Sequence, residues 1–206
     1  MRSSLHLGRI ARSALGVILL ALALGLQGCA GFIVQNPDSP LKPVNAAEAP
    51  GAGRLLLQGY DLVAYFVDGR ATPGLAAHQS TYEGVDFRFA SAEHKAMFDR
   101  DPTRYLPQFG GFCANGMVYA IPSGGDPRTW SLIDGKLYVF GGQGSKDAFE
   151  LDLPGTLKLA HHYWDTEAAG RNSVLQRAYR LTWRVPHYKS SEEIARLVSE
   201  AKARGK

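Results

Sequence analysis

Cysteine is nearly missing from this 206-residue chain: Cys29 and Cys113 are the only two. A disulfide-stapled scaffold, which needs several pairs of cysteines, is excluded. An excess of one charge is missing too. The 23 basic residues stand against 19 acidic ones, and three of the basic ones, Arg2, Arg9 and Arg12, sit at the extreme N-terminus. Without those three the balance is +1, which disfavours a nucleic-acid or general polyanion binder. No uncharged apolar run reaches the roughly 20 residues of a comfortable membrane span. Nucleophile elbow, H-E-x-x-H, G-x-x-x-x-G-K and C-x-x-C are all lacking, so no familiar enzyme template is met and the sequence points away from turnover. What is present is 45% hydrophobic and 10% aromatic side chains, enough to bury a core in one ordinary domain.

The three N-terminal arginines precede an apolar stretch from Ser13 to Leu26, the order of a secretory signal. It ends in Leu26-Gln27-Gly28-Cys29, which resembles the lipobox of bacterial lipoproteins. The expectation is a signal peptide over residues 1–28 and lipidation at Cys29, with the mature chain tethered to a membrane in the periplasm. Ala30 rather than Asp after that cysteine favours the outer over the inner membrane. Cys113 is then a single thiol in an oxidising compartment, which must be buried, ligate a metal or react on purpose.

Residues 29–53 hold Pro37, Pro40, Pro43 and Pro50 with no apolar period and read as a linker. The domain is expected over residues 54–165. Gln79–Tyr82 and Val85–Phe89 flank Glu83-Gly84, and Trp130–Ile133 and Lys136–Phe140 flank Asp134-Gly135, which predicts two β-hairpins. Ser91 is a candidate cap for a helix over Ala92–Arg100, and Asp101-Pro102 starts a further helical turn. From Leu157 the pattern is helical, with Trp164 anchoring that helix to the core. The fold class is therefore α+β, two hairpins with short helices.

Residues 166–206 read as a basic helical tail. From residue 171 on, nine basic and three acidic side chains give a net charge of +6, against −5 for residues 29–170. Val174, Leu175, Ala178, Leu181 and Thr182 share one helical face, with Arg177, Arg180 and Arg184 outside it. Ser190 to Glu193 forms a capping box for a last helix that directs Ile194, Leu197, Val198 and Ala201 inward. Both apolar faces are expected to dock on the acidic domain. The alternative is that the tail meets an envelope partner or an anionic surface, for which Trp183 and Tyr188 would be suited.

The run Gly59-Tyr60-Asp61-Leu62-Val63-Ala64-Tyr65-Phe66, then Tyr82-Glu83-Gly84, Phe87-Arg88-Phe89-Ala90-Ser91, Phe98, Pro102, Tyr105 and Gly110-Gly111-Phe112-Cys113-Ala114, resembles the YHS-domain family in its exported, single-domain branch. The likeness covers about residues 55 to 160. It implies a small α+β module of a kind described as metal-binding. Three positions that are cysteines in metal-associated members are Ala64, Ala90 and His94 here, and the family's histidine falls at Tyr82. The donor set that remains is Cys113 and His94, with Asp61, Tyr60, His161 and His162 as further donors if the fold brings them in, and copper or zinc as the metal. His161 and His162 point about 100° apart on a helix, so at most one faces a given site. The expected function is thus a soft or borderline metal-binding module. The alternatives are a thiol redox protein using Cys113, and a non-catalytic envelope interaction module with an inert thiol.

Overall fold

The computed structural model describes Leu41 and residues 43–205; the expected signal peptide, Cys29 and most of the linker lie outside the described residues. The fold is α+β. Strands β1 (Ala46–Ala49), β2 (Ala52–Leu56), β3 (Leu75–Tyr82) and β4 (Val85–Phe89) form a sheet of order β1-β2-β4-β3, antiparallel except for the β2–β4 pair. Strands β5 (Asp126–Ile133) and β6 (Lys136–Phe140) form a second, two-stranded sheet. The turns Glu83-Gly84 and Asp134-Gly135 both hold two successive residues at positive φ, the backbone twist that two-residue hairpins demand and that glycine at the second position accommodates.

Helix α1 (Leu62–Val67) is capped by Asp61, and α2 (Ala92–Arg100) by Ser91, whose hydroxyl accepts from the His94 N–H. Short turns α3 (Pro102–Tyr105) and α4 (Ala114–Met117) follow, then α5 (Gln143–Glu150) and α6 (Leu153–Tyr163), which begins at Leu153 rather than Leu157 because Asp152 caps Gly155. A π-helical turn, Trp164–Ala168, leads to α7 (Ser173–Thr182) and α8 (Ser191–Ala203). No helix among the described residues is long and apolar enough to cross a membrane.

Strand β6 separates two cores by its two-residue period. Leu137 and Val139 face a core with Phe87, Phe89, Phe98 and Tyr105 from the first sheet and its helices. Tyr138 and Phe140 face a second core with Phe109, Cys113, Met117, Phe149 and Ala160. Trp164 packs against this second core, as expected.

Two boundaries differ from the expectation. The linker does not run to residue 53: Pro50-Gly51 is the turn between β1 and β2, Val44 is in the first core, and the Asn45 side chain donates to the Gly111 carbonyl at 3.0 Å. A strand this short, paired at the sheet edge and rich in alanine, carries no apolar alternation to betray it. The other is the start of the tail at residue 166, although the expected docking of the tail on the domain holds for its ends. Ala168 and Val185 belong to the second core, and Tyr188 and Ile194 pack on it.

Candidate functional site

Cys113 lies between a tight turn over Gln108–Gly111 and α4, pinned by its N–H to the Ser123 carbonyl at 2.9 Å and aligned beside Val139. The residue is 3% exposed. Its Sγ accepts the Gly141 N–H at 3.1 Å, and its neighbours in the second core are apolar. These are the surroundings of a packed core thiol.

His94 lies in the first turn of α2, and its Nδ1 is 2.7 Å from Oδ2 of Asp61. Asp61 is fully buried. Its Oδ1 accepts the Val63 and Ala64 N–H groups at 2.8 and 3.2 Å, and its Oδ2 accepts the Ala90 N–H at 2.7 Å. One carboxylate therefore ties the start of α1 to the end of β4 and to α2. A buried charge held by four donors is satisfied by the fold itself and has little left for a metal.

The other expected donors are dispersed. Tyr60 pairs by its backbone with Pro73. His161 turns inward, with Nε2 3.0 Å from the Tyr138 hydroxyl and its ring against Phe109, and burial pushes its pKa below the ordinary value. His162 is exposed beside Tyr163. Among the described residues no group of three or more His, Cys, Asp or Glu could hold a metal ion. Cys113 belongs to the second core, and His94 Nδ1 is engaged by Asp61. A four-ligand site of the kind structural zinc takes is thus not offered by these side chains among the described residues. A cleft of about 250 Å³ between α4, α6 and the C-terminal segment, lined by Asn115, Tyr119, His187 and Lys189, contains none of the expected donors.

The surface that the sequence reading placed wrongly is α7. Its expected inward face is outward: Val174 is 67% exposed, and Leu175, Ala178, Leu181 and Thr182 are exposed too, as are Tyr179 beside them and Trp183 just beyond the helix. Five of the nine large exposed hydrophobics among the described residues fall within these ten positions, so this is a patch rather than scatter. The inward face is polar. Ser173 and Gln176 are buried, and the Gln176 Nε2 donates to the Ala120 carbonyl at 3.3 Å and to Glu167 Oε2 at 3.0 Å. Arg180 grips the same carboxylate through Nε at 2.7 Å and through a second nitrogen. Burying Val174, Leu175, Leu181 or Trp183 would return about 1.5–3 kcal/mol each, which this orientation leaves unused. The signal was in the sequence: Ser173, Gln176 and Arg180 also share a face at helical spacing, so two faces competed, and Glu167 decides between them. Helix α8, in contrast, buries Val198 and Ala201 as expected.

Comparison of the chain with protein-family models, with curated proteins and with solved structures returned no match.

Proposed function

We propose that this chain is an exported, lipid-anchored, YHS-like protein of the non-catalytic kind, an interaction module of the cell envelope whose contact face is α7. The observation that carries this reading is the inverted α7, whose polar side is hydrogen-bonded to the domain while its apolar side faces solvent. The burial of Cys113 and the dispersal of the expected donors weigh in the same direction. What supports the YHS likeness is that its residues converge: Asp61 caps α1, and Phe87, Phe89, Phe98 and Tyr105 meet in one core. The tether at Cys29 would hold the module at a membrane, where weak contacts suffice because the local concentration is high.

Hydrogen exchange of the α7 amides tests the reading, measured for the full chain in isolated envelopes and in detergent solution. The expected result is slower exchange in envelopes, removed by Leu175→Asp with Leu181→Asp, while the melting temperature in solution is unchanged. Equal exchange in both settings would remove the interaction reading. Metal analysis and thiol titration of the same preparation check the two alternatives, and stoichiometric copper or zinc, or a fast thiol, would restore one of them.

A further inference from the structure

An amphipathic helix ordinarily buries its apolar stripe in its own domain. In α7 the reverse orientation is fixed rather than incidental. Asn172 caps the helix by accepting the Val174 and Leu175 N–H groups at 2.9 and 3.2 Å. Gln176 and Arg180, one turn apart, are held by Glu167, and a guanidinium nitrogen of Arg180 also donates to the Trp183 carbonyl at 3.2 Å. The outward ridge therefore has a defined shape: Val174, Ala178 and Leu181 along its middle, Leu175 and Tyr179 to one side, and Trp183 at the end stacked on Tyr179 at 5.5 Å.

The charge around this ridge has one sign. From residue 168 to residue 191 there are five basic residues and no acidic one. Arg171, Arg177 and Arg184 are exposed there, while Arg180 is neutralised by Glu167. A second copy of the chain laid on this ridge about a two-fold axis would bring these arginines against their own equivalents, which costs free energy. A convex apolar ridge about 15 Å long, edged by arginines and ended by an indole, matches a different surface. Apolar side chains enter the acyl boundary, arginine stems lie along it with their heads at the phosphates, and Trp and Tyr sit at headgroup level.

We propose that the outward face of α7 lies in the interface of an anionic phospholipid bilayer, with Val174, Leu175, Leu181 and Trp183 inserted and Arg171, Arg177 and Arg184 on the headgroup phosphates. This rests on α7 being the contact face of a tethered module and names its partner as lipid. The tether and the helix then form two attachments, and the second fixes which side of the domain faces the membrane. Each arginine near an anionic surface adds a roughly fivefold preference, so the three together contribute on the order of 100-fold.

The test uses the full chain reconstituted in phosphatidylcholine vesicles with and without phosphatidylglycerol, with bromine-labelled lipids as quenchers of tryptophan fluorescence. The Trp183 contribution is the difference between wild type and Trp183→Phe. The expected result is strong quenching of Trp183 in the anionic vesicles, little in the neutral ones, and loss of the difference in the Arg171→Gln, Arg177→Gln, Arg184→Gln triple variant. Absence of Trp183 quenching in anionic vesicles overturns the proposal, and equal quenching in both vesicle types overturns its anionic part. Concentration-dependent dimerisation in solution that Leu175→Arg abolishes would assign the face to a second copy instead. If quenching fails while the α7 amides remain protected in envelopes, the interaction reading stands with a protein partner; if both fail, neither reading survives.

Discussion

Arg180 and Glu167 face each other through two guanidinium nitrogens and both carboxylate oxygens, with each side chain less than one-fifth exposed. The pair joins the π-helical turn after α6 to the last turn of α7. A bidentate contact of this kind fixes rotation as well as position, because the planar fork matches the carboxylate in one orientation only. The rotation it fixes is the one that turns the apolar ridge to solvent.

Replacing Glu167 with Ala leaves the Arg180 guanidinium and the Gln176 amide without their shared acceptor. The expected loss is about 1–3 kcal/mol, below that for breaking a fully buried pair because water still reaches the site. The change should be local. Hydrogen exchange is expected to accelerate through α7 while the β3–β4 and β5–β6 hairpins keep their protection, and denaturant unfolding gives the total.

The same carboxylate sets an acid limit. Burial would raise the Glu167 pKa, but the hydrogen bonds from Arg180 and Gln176, with the charges of Arg180 and Arg171, outweigh it and hold the value below the ordinary 4.5. A carboxyl whose folded pKa is lowered adds stability that is complete above its unfolded value and is lost as pH falls through the folded one. Docking of α7 should therefore be constant above about pH 4.5 and weaken in more acid solution, and Glu167→Gln should remove that dependence. The fluorescence of Trp183 against pH, in wild type and variant, measures it.

The elements whose signals are local were legible in the sequence. Turn pairs Glu83-Gly84 and Asp134-Gly135, the Ser91 cap and the Ser190 cap act within four residues, and each sits where the sequence put it. What depended on distant partners was not legible. Nothing within α7 shows that Glu167 will bind its polar side, and the short β1, though joined to β2 by Pro50-Gly51, has no apolar alternation to mark it. The partners of the candidate donors were hidden for the same reason. Cys113 and His94 are both donors in a list of residues, but Asp61, read only as a further donor, is the group that takes His94.

Asp61 should be the most costly single side chain to remove. Alanine there leaves the Val63, Ala64 and Ala90 N–H groups and His94 Nδ1 without their acceptor at a position closed to water. About 3–5 kcal/mol is expected, by the scale for uncompensated buried polar groups. His94→Ala, which leaves the three N–H bonds intact, should cost less than half of that. Urea midpoints of the two variants decide it, and a His94 variant as damaging as the Asp61 one would contradict the carboxylate-centred view.

For Cys113, burial sets the rate of its chemistry. Alkylation of the folded chain is expected to proceed only through opening of the second core, so its rate should fall as stability rises and reach that of a free thiol in denaturant. Substitution by Ser keeps an oxygen that can accept the Gly141 N–H, whereas Ala removes that acceptor and leaves a small cavity, so Ala should cost about 1–3 kcal/mol and Ser less. Labelling as fast in the native state as in denaturant would show an exposed thiol and contradict this placement.

His161 gives the second pH dependence, at milder acidity. Burial is the main cause of its lowered pKa, the Lys136 charge adds to it, and Asp165 opposes it. The fold therefore favours the neutral imidazole, which accepts from or donates to the Tyr138 hydroxyl at 3.0 Å while its ring packs on Phe109. A histidine with a folded pKa below its unfolded value of about 6.5 leaves stability at its maximum above that pH, and stability is lost as pH falls from there towards the folded pKa. The melting temperature should accordingly decline as pH falls below about 6.5, before the Glu167 limit is reached. Replacement of His161 by Gln keeps a hydrogen-bonding partner for Tyr138 without a titrating group, so the variant should be less stable at pH 7.5 and lack this decline below about pH 6.5. A decline of the same size in the variant would place its origin elsewhere.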